Sequence, residues 1–597
     1  MTPIPGAYTP PRPPPPPRSP VLTLLLFFSA SLRLCGEPRC SCGFATLSLR
    51  GPIVLPPSFK ILGPRFARRS GLIAKAPASY LTAKIKLVPR YAAIDIGSNS
   101  IRMEAAEVVP GQPARVLASE REVTRLGESV FRSGAVSEEA LRATCAVLAR
   151  MAALYRKLDV VGVRAVATSA IRDTRNPHEF LARASEAAGT PVEIISGREE
   201  SRLIYLGVES IWPQDGKRTL VIDIGGGSAE IIGAEDGVLK ETFSKPLGAV
   251  RLREIFLKDD PPTPLQLHQM HEYIQAKLDT PVRRLGHAGY DRAIATSATA
   301  AAVAHAIARI PGSRRDEIDR LRMPTPGVGK LYRRLVELNL AGRRRITGIG
   351  PRRAEIIVPG VAVLLDFLRE FQLSAVYYCR AGVRDGIIAD LANRNVGAEL
   401  SRLSRDQRRE VEELGRRYGV SIDHARKVAN IAHLLFTALQ PLHNLPPGAG
   451  KLLEAAAYLI DVGHYVSDSG HHKHSYYVVS NSDMAGFTQR ERLLVACLCR
   501  YHRKSLPTPV HSQYQALPAD DRRLLLFLIP LLRLADNLNR SRQQRVRGID
   551  CRLRDGHVVL EVTSSHDIDL EQWGAERAGE AFLQVYNRPI AVQRENE

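Results

Sequence analysis

The sequence predicts an α/β chain with a tandem duplicated half, followed by a mainly helical region. Three observations predict it. An apolar strand ending in Asp-x-Gly occurs twice, as Tyr91–Ile96 before Gly97-Ser-Asn-Ser100 and as Leu220–Ile224 before Gly225-Gly-Gly-Ser228. The distance from that aspartate to a later Ala-Thr-Ser-Ala is the same both times, 73 residues from Asp95 to Thr168 and 73 from Asp223 to Thr296. From Ser401 to about Arg542 the apolar residues recur at helical spacing. At 597 residues the chain has room for about three to five domains. The pattern divides it into an N-terminal extension (1–85), a first half (86–215), a second half (216–398), a helical domain (401–545) and a small strand and helix segment (546–597).

The extension comes first. Residues 1–20 hold ten prolines, and residues 21–32 form a 12-residue apolar run. The run imitates an export signal, but the prolines before it do not suit a short basic leader. The next methionine after Met1 is Met103. Residues 1–85 therefore read as a disordered extension or a mis-called start. They carry 11 basic residues and one acid, so they supply +10 of the net +21. The remaining +11 is a modest excess that suits a polyanionic partner or a solvated surface. No specific nucleic-acid module is read, and no apolar run reaches the ~18 residues of a membrane helix. The eight cysteines form no CxxC pair, which reads as a reducing, cytoplasmic setting.

The elements of the first half follow in order. Tyr91–Ile96 reads as a buried strand, Ile101–Val109 as its return, and the next strand runs up to Leu126-Gly127. Ser137 is the N-cap of a helix with Glu138 and Glu139 in its first turn and Leu141, Cys145, Leu148 and Met151 on one face. Val163–Ala167 is a strand. The second half repeats this with Leu220–Ile224, Ala229–Ile232, a hairpin turn at Asp236-Gly237, a third strand closing at Leu247-Gly248, and the strand Arg292–Thr296. A helix ends near Ala392 and a linker spans 393–400. Residues 550–562 form a hairpin around Asp555-Gly556.

The two turns share a chemistry. Glycines let the backbone approach a ligand, and successive N–H groups make an anion nest. Gly97, Ser98, Asn99 and Ser100 in one turn, and Gly225, Gly226, Gly227 and Ser228 in the other, are the candidate phosphate ligands. An aspartate at each strand end, Asp95 and Asp223, would repel phosphate unless a divalent cation such as Mg²⁺ bridged them.

AAIDIGSNS, ATSAIRDTRN, EIISGREESRLIYLGV, VIDIGGGSAE and RAEIIVPG together resemble the exopolyphosphatase / guanosine pentaphosphate phosphatase family. The resemblance covers roughly residues 88–580. It implies an actin-like, ribonuclease-H-like fold. It also implies Mg²⁺-assisted release of terminal phosphate from inorganic polyphosphate, or of the γ-phosphate from guanosine pentaphosphate, and it implies a homodimer. Glu200 is the catalytic base by the resemblance; the residues alone leave Glu199 and Glu200 open. The resemblance marks Arg172 as a catalytic, phosphate-binding arginine and matches Glu230, with Asp95 and Asp223, to the metal carboxylates. The second Thr-Ser turn reads ATSATA where the family usually has Gly-Thr-Ser-Gly-Thr, and it is left out of the binding set.

The region from Ser401 resembles the helical HD-type domain of long exopolyphosphatases. His424, Asp461 and Asp536 stand at that domain's metal positions, but Ile460 replaces the histidine of its His-Asp pair. His471–His474, Tyr501–Lys504, Arg540 and Arg542 then read as a basic track for polyphosphate, with a polar loop or a histidine metal site as alternatives. Two rivals to a hydrolase remain, a kinase or ATPase of the same superfamily and a non-catalytic sensor of polyphosphate or nucleotide.

Overall fold

The computed structural model describes residues 88–109, 111–287, 289–311, 318–395, 401–554 and 556–595. The expected N-terminal extension, residues 396–400 of the expected linker, and Asp555 lie outside the described residues.

The duplication is visible in the sheets. In the first half β1 (Arg90–Ile96), β2 (Ile101–Glu107), β3 (Arg115–Glu122), β4 (Gly162–Ala167) and β5 (Val192–Ile194) lie in the order 3-2-1-4-5. In the second, β6 (Arg218–Ile224), β7 (Ala229–Glu235), β8 (Val238–Lys245), β9 (Arg292–Thr296), β10 (Arg322–Pro324) and β11 (Ala375–Tyr378) lie in the order 10-11-9-6-7-8. The first three strands of each half are antiparallel, and the fourth pairs parallel to the first. Even the irregularity repeats: the register of the second strand against the third shifts at Ala105/Ala106 and at Gly233/Ala234. Ala105 and Gly233 each stand ten residues after the aspartate near the end of the preceding strand. Such a bulge bends and twists a ribbon, so the two sheets curl alike.

Alternate residues of the central strands are buried on both faces, as a sheet covered by helices requires. Ser137 accepts from the Ala140 amide, capping the helix Glu138–Arg156, and Leu141, Leu148 and Met151 are buried beneath it, with Cys145 at the margin. Three boundaries differ from the sequence expectation. β3 stops at Glu122, and Leu126 instead opens a helix, because Arg125 takes a left-handed conformation that turns the chain. β8 stops at Lys245, and Gly248 caps the next helix. The helix expected to end near Ala392 runs from Val383 to Asn395.

The two halves exchange a helix. Gly197–Ile211 follows β5 of the first half, yet its Ile204, Tyr205 and Val208 pack with Val221, Ile232 and Ile294 of the second. Val383–Asn395 follows β11 of the second half, yet its Ile387 and Ile388 pack with Ala93, Ala106 and Val166 of the first. The helices cross at glycines. A Cβ on Gly386 would lie 1.8 Å from the Leu203 carbonyl oxygen, and one on Gly207 would lie 2.4 Å from that of Gly382. Only hydrogen atoms fit at that crossing.

The C-terminal region is helical from Arg405 to Asn537, with the three-stranded sheet β12 (Gly548–Arg554), β13 (His557–Thr563) and β14 (Ile590–Glu595) at its end. One hydrophobic core runs from Leu403 to Val592, so helices and sheet fold around the same interior. Among the described residues no helix is long and apolar enough to cross a membrane.

Candidate active site

The two Asp-x-Gly turns face each other across a cleft of about 1240 Å³. Each closes with the same bond, from the Gly97 amide to Ser100 O at 3.2 Å and from the Gly225 amide to Ser228 O at 3.0 Å. None of the four turn glycines has a positive φ, so the turns do not need glycine for backbone freedom. They need it for closeness. A Cβ on Gly226 would sit 3.1 Å from Ser98 Cβ and 3.2 Å from the Asn99 nitrogen. Behind the second turn the N-terminus of the helix Ala249–Phe256 is bonded to it: the amides of Ala249 and Val250 donate to Gly225 O and Gly226 O at 3.0 and 2.8 Å. With its carbonyls held from behind, the turn leaves the amides of Gly226 and Gly227 without an acceptor among the described residues, as are those of Ser98 and Asn99. Unpaired amides on two facing turns make an anion site. Gly248 stands at the tightest contact, where a Cβ would lie 2.3 Å from the Gly226 carbonyl carbon and oxygen. Gly248→Ala must push backbone against backbone. It is expected to destabilise by about 1–3 kcal/mol, read as a lower denaturant midpoint at unchanged slope.

The carboxylates gather at the base of the cleft. Glu200 stands in the first turn of the helix Gly197–Ile211, whose N-cap Ser196 accepts from the Glu199 amide at 3.1 Å. Glu200 Oε2 accepts from Arg172 Nη1 at 2.7 Å. Burial pushes the Glu200 carboxyl up to about 7; Arg172 pulls it down, and Asp95 and Asp223 push it further up. Glu199, one residue earlier, points away. It accepts from Arg202, Arg164 and the Gly486 amide in a buried ion network. Asp95 and Asp223 sit at the ends of β1 and β6 and both line the cleft. Burial raises both, and Asp95 further raises Asp223. Thr296 Oγ1 donates to Asp223 Oδ2. Glu230 pairs opposite Asp223 in the sheet, beside Glu200 and Arg172, and accepts from Ser244 Oγ at 2.8 Å and from the Ser228 hydroxyl. Its carboxyl is held well above the ordinary range by burial and then by Glu200.

Arg172 reaches this group from the short helix Ser169–Arg172 after β4. Its Nη1 also donates to Ile195 O at 2.9 Å, and Nη2 approaches Ser228 Oγ at 3.5 Å. It therefore ties Glu200 to the second turn. Arg175 instead bonds Ser133 O, away from the cleft.

Sequence reasoning missed the cations of the cleft wall: Arg102, Arg121, Arg320, Arg353, Arg380 and Arg384. They come from separate strands and loops and, for Arg384, a helix, and only Arg102, opposite Asp95 in the strand pair, carried a positional signal. It also missed Arg251, which donates to Gly227 O at 2.7 Å and lies over the Phe131 ring at 4.0 Å. The ATSATA turn, left out of the binding set, does reach the cleft. Ser297 and Ala298 line it, and Ser297 holds φ 83°. A non-glycine residue there stores about 1–3 kcal/mol of strain.

In the C-terminal domain His424, Asp461 and Asp536 line one cavity of their own, and Ile460 lies in the hydrophobic core. His471–His474 are not a polar loop. They open the helix His471–Asn481, with His471 and His472 buried.

Residues 105–395 match the family model described as the Ppx/GppA phosphatase family, and residues 407–572 match Ppx/GppA phosphatase, domain III. Similar solved structures include the Aquifex aeolicus PPX-GPPA enzyme, 28% identical over 50% of this chain and 99% of that one, with a TM-score of 0.45. An exopolyphosphatase-like protein is 25% identical over 52% of this chain and 99% of its own, with a TM-score of 0.49. An exopolyphosphatase from Cytophaga hutchinsonii is 24% identical over 51% and 98%, with a TM-score of 0.48.

Proposed function

Because the chain belongs to the Ppx/GppA phosphatase family, whose actin-like halves and helical domain III it carries, we propose that it releases terminal phosphate from inorganic polyphosphate by attack of water. The observation that carries this reading is the composition of the cleft. Glu200, held by Arg172, stands with Asp95 and Asp223 beside two amide-lined turns, and six arginines line the walls around them. A hydrolase of phosphoanhydrides needs little covalent chemistry from the protein. It needs a positioned water and compensation of charge. Glu200 orients the water and accepts its proton. Arg172 holds the Glu200 carboxylate in place with Nη1 and presents Nη2 beside Ser228, where a terminal phosphoryl oxygen would lie. The free amides of Ser98, Asn99, Gly226 and Gly227 take the remaining oxygens.

The donors fit Mg²⁺. Asp95 and Asp223 are hard oxygen ligands on facing strand ends, and with Glu200 they are buried beside one another's charge, which a divalent cation would offset. The cation would neutralise charge on the phosphate chain there. Glu230, opposite Asp223 in the sheet and in the field of Arg172 and Glu200, would back Asp223 in holding the cation.

A linear polyanion suits the arginine-lined walls. A guanosine substrate would favour an aromatic platform, and Tyr378 is the one aromatic residue among the described residues lining the cleft. Phosphate release by the full chain, measured side by side on polyphosphate and guanosine pentaphosphate, tests this. Faster release from polyphosphate is expected, with chelation reducing it to background and added Mg²⁺ restoring it. Faster release from the nucleotide would reverse the substrate choice. No release from either would leave a binding protein.

A further inference from the structure

A second cavity, of about 970 Å³, lies in the C-terminal domain and takes no part in the cleft described above. Its floor collects donors from separate stretches of chain. Asp461 and His464 come from the turn after the helix Gly448–Leu459, His471 from the start of the helix His471–Asn481, and His502 from the end of Gln489–Tyr501. One ligand atom each from Asp461, His464 and His471 lie within 4.8 Å of one another. The rings of His464 and His471 stack with centroids 3.8 Å apart. His471 Nε2 faces His502 Nε2 at 3.3 Å. His464 Nε2 and His424 Nε2 approach the Asp461 carboxylate at 3.6 and 4.0 Å.

A second observation is an unsatisfied acceptor in the same cavity. Asn539, only 1% exposed, lines the same cavity. Its Nδ2 meets His424 Nδ1 at 2.7 Å, and its Oδ1 has no partner. An acceptor buried in that state costs about 1–3 kcal/mol. Asp536 adds a further carboxylate to the same wall.

We propose that Asp461, His464 and His471 form a site for a divalent transition-metal ion that takes a phosphoryl oxygen as an additional ligand. Two imidazoles and a carboxylate suit ions of the Zn²⁺, Co²⁺ or Mn²⁺ kind better than Mg²⁺, which prefers an all-oxygen shell. Ile460, buried in the core, donates nothing; His464, one turn beyond Asp461, supplies the imidazole instead. The open side of the cavity carries Arg503, Lys504, Arg540 and Arg542, and guanidinium groups recognise phosphoryl oxygens in pairs. Arg542 now lies 3.4 Å from Asp461 Oδ2, and Arg503 lies 3.2 Å from His471 Nδ1. Both side chains are exposed, so they can turn outward to a ligand when an ion takes their place.

The test is titration of the metal-stripped full-length protein with Co²⁺, followed by visible absorption. Wild type and Glu200→Gln are expected to bind one equivalent with the absorption of histidine-ligated Co²⁺. His464→Ala, at an exposed position, is expected to weaken that binding about tenfold or more at an unchanged melting temperature. His464→Ala/His471→Ala is expected to abolish it. Inorganic phosphate should then shift the band in the wild type. Absence of the band in the wild type, or its full survival in His464→Ala, overturns the metal site. A band that phosphate does not move overturns the ligand class.

Discussion

Glu200→Gln is expected to bind polyphosphate as the wild type does and to turn it over at least about 10²-fold more slowly, the usual scale for losing a general base. Glutamine keeps the size and the acceptor oxygen that Arg172 Nη1 holds at 2.7 Å, so the cleft stays assembled while the proton acceptor is gone. The pH profile makes the test specific. Burial, with Asp95 and Asp223 adding to it, sets the Glu200 carboxyl at about 7. A general base works only when deprotonated, so kcat/KM should rise with pH through about 7 and level off above it. Below that point it should fall about tenfold per pH unit. The glutamine variant should lose this limb as well as the rate. Near-normal turnover, or a wild-type pH profile in the variant, would show that another group handles the water.

How much of this was legible in the sequence depends on how local each signal is. A strand, an Asp-x-Gly turn and a return strand are written within about fifteen residues, and so both turns, their order and the 73-residue spacing could be read directly. Facing of the turns could be inferred from the repeat. The exchange of helices could not. Gly197–Ile211 follows the first half in sequence but is buried on the second, and nothing in its amphipathic pattern says which sheet it will cover. The same fact decides between Glu199 and Glu200. Adjacent helix positions point about 100° apart, and only the docked partners show that one direction is the cleft and the other an ion network. Composition misled at Asn393–Asn395, which look like linker but stay helical while Arg394 is anchored by Asp390, Glu491 and Gly486. The arginine wall was invisible because its members are scattered over nearly three hundred residues.

Arg394→Ala should be among the most damaging single substitutions for stability, at about 3–5 kcal/mol. Arg394 is the joint between the actin-like halves and the C-terminal domain. Its Nε bonds Asp390 at 2.8 Å, its Nη1 bonds Glu491 at 2.7 Å, and its Nη2 donates to Gly486 O at 2.9 Å. The Gly486 amide in turn donates to Glu199 at 2.7 Å, and Asp483 accepts from Ser196, the N-cap of the helix that carries Glu200. Removing the guanidinium leaves Asp390 and Glu491 buried beside fewer cations, and a buried carboxylate without its partner costs more than the pair contributed. The sign with pH follows. In the wild type Asp390 and Glu491 are held below the ordinary carboxylate range, Arg394 being the largest of the opposing effects on each after burial. Their stabilisation is therefore fully present at neutral pH and is lost only as pH falls through those lowered values. In the variant they are pushed upward and protonate sooner, so the deficit should be greatest near pH 7.5 and shrink toward pH 5. Arg394→Lys should rescue little, because an ammonium cannot bridge three acceptors in one plane. Thermal melts of the three proteins at the two pH values provide the check. A variant melting within about a degree of the wild type at pH 7.5 would mean that the joint is ornamental. Loss of phosphate release well below the melting temperature would instead show that the C-terminal domain holds Glu200 in register. By the same contacts, a chain ending near residue 400 should lose catalysis on short and long substrates alike, since it discards Gly486, Glu491 and Asp483 together.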